Sequence, residues 1–196
     1  MKIRLEEEKD YFMNENLTRE AFWNVYRPGC YEHYILHKIR TDKCYVKELS
    51  YVMEDKQRLV GSIVYAKGKV RNENGINEVL LFGPVSILPE YQGAGYGKKL
   101  IKFTLKKAKE LGYPAVVITG KPEYYEKLGF KSASKYNIFY KGMENEENLF
   151  FMVKVLDRHK MKSIYGIYSD PEVYMVDQKD VEQFLSLIHI SEPTRP

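Results

Sequence analysis

Between Pro84 and Leu100 the chain reads P-V-S-I-L-P-E-Y-Q-G-A-G-Y-G-K-K-L: a β-branched run, a break at Leu88-Pro89, a turn with glycine at 93, 95 and 97, and the opening of a helix. Closely spaced glycines let successive backbone N–H groups crowd around one point, and a helix starting there adds the positive end of its dipole. The stretch reads as a seat for a diphosphate. The familiar nucleotide loops do not fit it. A Walker loop needs glycine at 92 and Ser or Thr at 99, where Gln92 and Lys99 stand. A dinucleotide fingerprint counted from Gly93 or Gly95 needs glycine at 98 or 100, which are Lys98 and Leu100. What fits is Q-x-x-G-x-G, carried by Gln92, Gly95 and Gly97, after a strand and before a helix.

The surrounding pattern predicts an α/β chain. Lys2 to Leu5 alternates as a first strand, and a helix follows from Lys9 to about Tyr26, ended by Pro28-Gly29. A second helix, Cys30 to Arg40, places Cys30, His33 and His37 on one face. Leu49 to Glu54 and Leu59 to Tyr65 read as a hairpin, and Arg71 to Asn77 as the turn before a central strand, Glu78 to Ile87. Gly83-Pro84 inside that strand predicts a bulge, because proline donates no ladder hydrogen bond. Gly95 to Leu111 is amphipathic, with Leu100, Ile101, Thr104, Leu105, Ala108 and Leu111 on one side, and Gly112 caps it. Ala115 to Thr119 is an apolar strand of the kind buried on both faces of a parallel sheet. Pro122 to Leu128 is a short helix capped by Gly129, leading to a strand at Phe130, and Leu149 to Leu156 closes the sheet.

Nothing Pro/Gly/Ser-rich splits the 196 residues, so one domain over 1–156 with an extension over 157–184 packed on it is expected. Residues 185–196, L-S-L-I-H-I-S-E-P-T-R-P, resemble a translated sequencing adapter, which makes Phe184 the last native residue. Two cysteines and an opening, M-K-I-R-L-E-E-E, without an apolar core point to a reducing, cytoplasmic setting, and no apolar run could span a bilayer. The net charge of +4 is spread over scattered lysines, so nothing calls for a nucleic acid partner.

The Q-x-x-G-x-G turn after a strand, together with Y-E-K-L-G-F at 125–130, resembles the GNAT superfamily of acetyl-CoA-dependent N-acetyltransferases. The resemblance covers roughly Lys2 to Leu156. It implies a mixed central sheet of six to seven strands flanked by about four helices and splayed between the fourth and fifth strands. It implies acetyl-CoA as cosubstrate, no metal, an amine acceptor, and a monomer or homodimer. On this pattern Gln92, Gly93, Ala94, Gly95, Tyr96, Gly97 and Lys98 hold the diphosphate. Val85, Ser86 and Ile87 offer backbone groups to the pantetheine arm and an N–H to the reacting carbonyl. Tyr125 protonates the departing thiolate, with Tyr124 as the alternative; a phenol of ordinary pKa about 10 is protonated at neutral pH.

In the family the segment between the first two strands walls the acceptor site, so Glu32, His33 and His37 are acceptor candidates. The other reading of that face is a helix with partly buried histidines. A zinc site there would need a fourth ligand that the sequence does not supply. No acid stands in the core of the central strand, which leaves Glu32, Glu54, a water chain or solvent to deprotonate the amine. A non-catalytic acyl-CoA-binding or protein-interaction module on the same fold is the competing class.

Overall fold

The computed structural model describes residues 1–26, 28–144 and 148–191, the last five of these by backbone alone. Among the described residues nine strands form one mixed sheet: β1 (Lys2–Leu5), β2 (Tyr51–Asp55), β3 (Arg58–Asn72), β4 (Gly75–Ile87), β5 (Ala115–Thr119), β6 (Lys131–Ser132), β7 (Ile138–Tyr140), β8 (Phe151–Val155) and β9 (Gly166–Ser169). The main path runs β1-β2-β3-β4-β5-β8-β6, while β9 pairs with the far half of β3 and with β7. Seven of these strands match the sequence expectation. The additional two, β7 and β9, are three and four residues long, too short to show a period of their own.

The hairpin partner of β4 is longer than its hydrophobic alternation suggested. β3 pairs with β4 from Gly61↔Ile87 to Asn72↔Gly75, with the turn at 73–74. The register slips where Ile63 faces Val85 but Tyr65 faces Phe82, so Gly83 and Pro84 form the expected bulge, and their peptide bond is cis. The parallel pairing of β4 with β5 covers only Leu80↔Val116 and Leu81↔Val117. Beyond Leu81 the two strands part, which is the splay between the fourth and fifth strands.

Among the described residues five α-helices surround the sheet: α1 (Tyr11–Phe22), α2 (Glu32–Ile39), α3 (Tyr96–Glu110), α4 (Pro122–Tyr125) and α5 (Gln178–Ser191). α3 buries Leu100, Ile101, Leu105 and Ala108 in one apolar cluster with Tyr65, Leu80, Phe82, Val116 and Phe130. α2 buries Leu36 and Ile39 in a second cluster with Val64, Leu81, Val117, Phe151 and Tyr168. Because neighbours such as Leu81 and Phe82 point to opposite faces of a strand, these are the two faces of the sheet.

α1 stops at Phe22, four residues short of expectation. Asn24 takes the left-handed conformation (φ 58°), its N–H donates to the Gly29 carbonyl, and its side chain accepts from the Gly29 N–H. α1 and α2 are clamped by Arg40, whose side chain is 4% exposed and pairs with Glu6 at 2.7 Å and Glu15 at 2.5 Å. The Arg40 guanidinium also lies 4.0 Å from the Tyr11 ring centroid.

Past residue 156 the chain adds β9 to the same sheet and then α5. The stretch set apart as adapter-like continues α5 through Ser191, and 192–196 lie outside the described residues.

Candidate functional site

A cleft of about 700 Å³ occupies the β4/β5 splay. Its walls include Leu81 and Val117 from the α2 face and Phe82 and Ile118 from the α3 face, so it passes through the sheet. Gly93, Gly95, Tyr96, Gly97 and Lys98 close it on the α3 side.

The glycine turn is built as its sequence demands. Gly93 (φ 77°) and Gly95 (φ 84°) are left-handed, and a Cβ placed on either would meet no atom within 4 Å, so the backbone there faces open space. Gly95 caps α3, and the unsatisfied N–H groups of that helix start point to the same place. Gln92 donates its amide to the Ile87 carbonyl at 2.9 Å, tying the turn back to the end of β4. Gly97 serves a different purpose. A Cβ on it would stand 3.2 Å from the Tyr124 hydroxyl oxygen, so glycine permits α4 to approach α3.

α4 is one helical turn followed by a tight turn at Glu126–Leu128, with Gly129 (φ 82°) ending it. The two tyrosine rings meet edge to face at 82°. Tyr124 lies under the Lys98 ammonium, 5.7 Å from its ring centroid. Tyr125 packs between Phe82 and Phe130 and against Gly120 while still lining the cleft. Burial, with smaller contributions from Tyr124 and Tyr26, raises its phenol well above the ordinary tyrosine value, so it holds its proton at neutral pH.

Of the residues singled out in the sequence, Glu32, Val85, Ile87, Gln92, Gly93, Gly95, Tyr96, Gly97, Lys98 and Tyr125 line this one cleft. Ser86 and Ala94 do not. The Ser86 hydroxyl is buried against that of Thr18 at 2.9 Å, so only its backbone is left to serve a ligand.

His33 and His37 are not among the residues that line the cleft. His33 is fully buried and neither ring nitrogen has a hydrogen-bond partner among the described residues. Burial pushes it down to about 4, so it is neutral. His37 meets Glu15 at 3.1 Å, and the Phe184 ring of α5 lies 5.2 Å from His33 and 4.7 Å from His37. The Glu54 carboxylate receives two hydrogen bonds from Arg4 and is not among the residues that line the cleft.

The structure adds residues that had no readable motif. Tyr168, Asp170 and Tyr174, from β9 and the turn after it, line the cleft, as do Phe22, Tyr26 and Phe151. Tyr174 donates to the Gly83 carbonyl at 2.8 Å, fastening the extension to the bulge of β4. The signal available was the tyrosine-rich run ending in Ser169-Asp170-Pro171, but nothing local said that it returns to the central strand.

Residues 46–132 match the family model described as the acetyltransferase (GNAT) domain. Over that stretch the chain is similar to GNAT acetyltransferase domains. Among curated proteins, it is 28% identical over 83 residues to the uncharacterized N-acetyltransferase YjhQ of Escherichia coli K12, covering 42% of this chain and 46% of that protein. It is 25% identical over 104 residues to the uncharacterized N-acetyltransferase YhbS of the same strain, covering 53% and 60%. The matching stretch thus spans about half the length of these relatives. Among solved structures, E. coli YhbS in complex with CoA superposes with a TM-score of 0.76 at 22% identity, covering 89% of this chain and 92% of that one. A GNAT acetyltransferase from Brucella melitensis in complex with acetyl-CoA gives 0.71 at 24% identity, covering 88% and 97%. The GNAT fold is therefore shared along most of the chain, beyond the part that sequence alone aligns.

Proposed function

We propose that this protein transfers an acetyl group from acetyl-CoA directly to a primary amine. The observation that carries the reading is the open, left-handed backbone at Gly93 and Gly95, set at the start of α3 and at one mouth of a cleft that runs through the β4/β5 splay. A diphosphate fits that end, since backbone N–H groups and the helix dipole favour an anion and Lys98 adds a cation. The narrow arm of the cosubstrate follows the gap past Ile87 and Val85. A backbone N–H next to the bulge then faces the thioester carbonyl and supports its oxyanion.

Tyr125 supplies the proton for the departing thiolate, because burial keeps its phenol protonated while one side remains open to the cleft. Glu32, at the start of α2, is the acidic side chain of the acceptor segment that reaches the cleft, and it takes the proton that the ammonium must lose before its nitrogen attacks the thioester. Transfer proceeds without an acetyl-enzyme: Cys30 and Cys44 are buried, burial pushes both thiols up to about 12, and neither lines the cleft. The setting is a cytoplasmic one, with the extension over 157–184 acting as part of the same domain. No helix among the described residues is long and apolar enough to cross a membrane.

Thiol release from acetyl-CoA, measured across a panel of primary amines with wild type and Tyr125→Phe, tests the proposal. Amine-dependent release by wild type that falls about a hundredfold in the variant at unchanged acetyl-CoA affinity is the expected result. Acetyl-CoA binding without release for any amine would assign the fold to a binding module instead.

A further inference from the structure

The charges in the cleft are segregated. Among the described residues that line it, the cationic one is Lys98, beside the glycine turn, and the acidic ones are Glu32, which opens α2, and Asp170, which follows β9. Asp170 is the better placed of the two. β9 pairs with β3 at Lys69↔Ser169, one residue before it, and Tyr174, four residues after it, is fastened to Gly83 at the bulge. The carboxylate is therefore held from both sides at the level where β4 and β5 part.

Two phenols aim at it, that of Tyr168 buried and that of Tyr140 half-buried. Tyr168 donates to Oδ1 at 2.7 Å and Tyr140 donates to Oδ2. Burial first, and Asp170 second, raise both phenols, so both remain donors. The two donors fix the orientation of the carboxylate, and a carboxylate held in place on the wall of a cleft suits a charge-assisted hydrogen bond from a cation. The wall also carries apolar and aromatic side chains, Phe22, Tyr26, Ile35, Phe151 and Tyr174.

We infer that Asp170, oriented by Tyr140 and Tyr168, is the anchor for a cationic acceptor, and that the acceptor class is a primary ammonium carried on an apolar or aromatic body. The inference rests on the reading of the cleft as the acetyl-transfer site, but its test measures binding rather than transfer. A wild type that prefers the amine yet releases no thiol defeats the earlier reading alone.

The test is calorimetric titration of the CoA-saturated protein with 2-phenylethylamine and with 2-phenylethanol, which share a body and differ in charge. Wild type should favour the amine by about tenfold or more, the value of a charge-assisted hydrogen bond. Asp170→Asn should remove the preference at unchanged CoA affinity, and Asp170→Glu should restore part of it. If Asp170→Asn does not fold, the wild-type preference and the Asp170→Glu and Glu32→Gln variants decide. Absence of an amine preference in wild type, its retention at full strength in either Asp170 variant, or its loss in Glu32→Gln overturns the inference.

Discussion

Gly120→Ala displaces Tyr125 without touching its chemistry. The added Cβ would stand 2.3 Å from Cε2, 3.0 Å from Cδ2 and 3.4 Å from Cζ of the Tyr125 ring. Ordinary contact begins near 3.4 Å, so the ring must retreat by about 1 Å. It has little room to do so. Tyr124 lies 5.0 Å away between centroids, Phe130 5.6 Å and Phe82 6.1 Å, all edge-on or tilted. Overpacking of this kind costs about 1–3 kcal/mol of stability. A proton donor misplaced by about 1 Å loses roughly a hundredfold in rate. The glycine turn sits on α3, apart from this contact, so CoA affinity stays as it was. Urea denaturation, CoA titration and thiol-release kinetics on Gly120→Ala measure the three effects separately. The decisive comparison is with the double variant: on a Tyr125→Phe background, Gly120→Ala should lower kcat by less than about threefold, because the group it displaces has already been silenced. A Gly120→Ala protein with wild-type kcat, or two losses that multiply, would refute the assignment of Tyr125.

Further outcomes follow from the same geometry. Arg40→Met should cost about 3–5 kcal/mol by chemical denaturation, since Glu6 and Glu15 would be left buried beside an apolar side chain. His33 is pushed down to about 4 from an ordinary 6.5, so the unfolded chain binds a proton that the native state refuses as pH falls through that window. The stability associated with neutral His33 is complete above about pH 6.5 and is lost toward pH 4. Between pH 7 and 4.5 the loss amounts to about 2 kcal/mol, and His33→Leu should lose correspondingly less when urea denaturation is compared at those two pH values. Gly97→Ala should weaken CoA binding through its 3.2 Å contact with the Tyr124 hydroxyl, and Tyr124→Phe should restore it if that contact is the cause. Gly95→Ala meets no atom, so its cost is the backbone strain of a left-handed alanine, roughly 1–2 kcal/mol, which a melting curve detects.

What was legible in the sequence is what local chemistry dictates. The glycines at 93 and 95 need positive φ, Gly83-Pro84 needs a bulge, and the run Leu100 to Ala108 needs an apolar surface beneath it. These three requirements placed the turn, the distorted strand and the helix at the Gly93–Lys98 end of the cleft. The end that holds Asp170 was hidden because its residues meet only through tertiary pairing. Asp170 owes its position to the β3–β9 ladder and to Tyr174 on Gly83, neither of which has a local signature. The histidines of α2 share a face as their spacing says, but that face is covered by Phe184 rather than turned to the cleft. Periodicity identified the face and could not say what lies against it.

The central claim is that one cleft through the β4/β5 splay brings acetyl-CoA and an amine together beside Tyr125. Thiol release from acetyl-CoA by the protein with 2-phenylethylamine, in parallel for wild type, Tyr125→Phe and Asp170→Asn, tests it most directly. The account predicts amine-dependent release by wild type, a fall in kcat in the first variant, and a raised KM for the amine alone in the second. Amine-dependent release that neither substitution alters would contradict it.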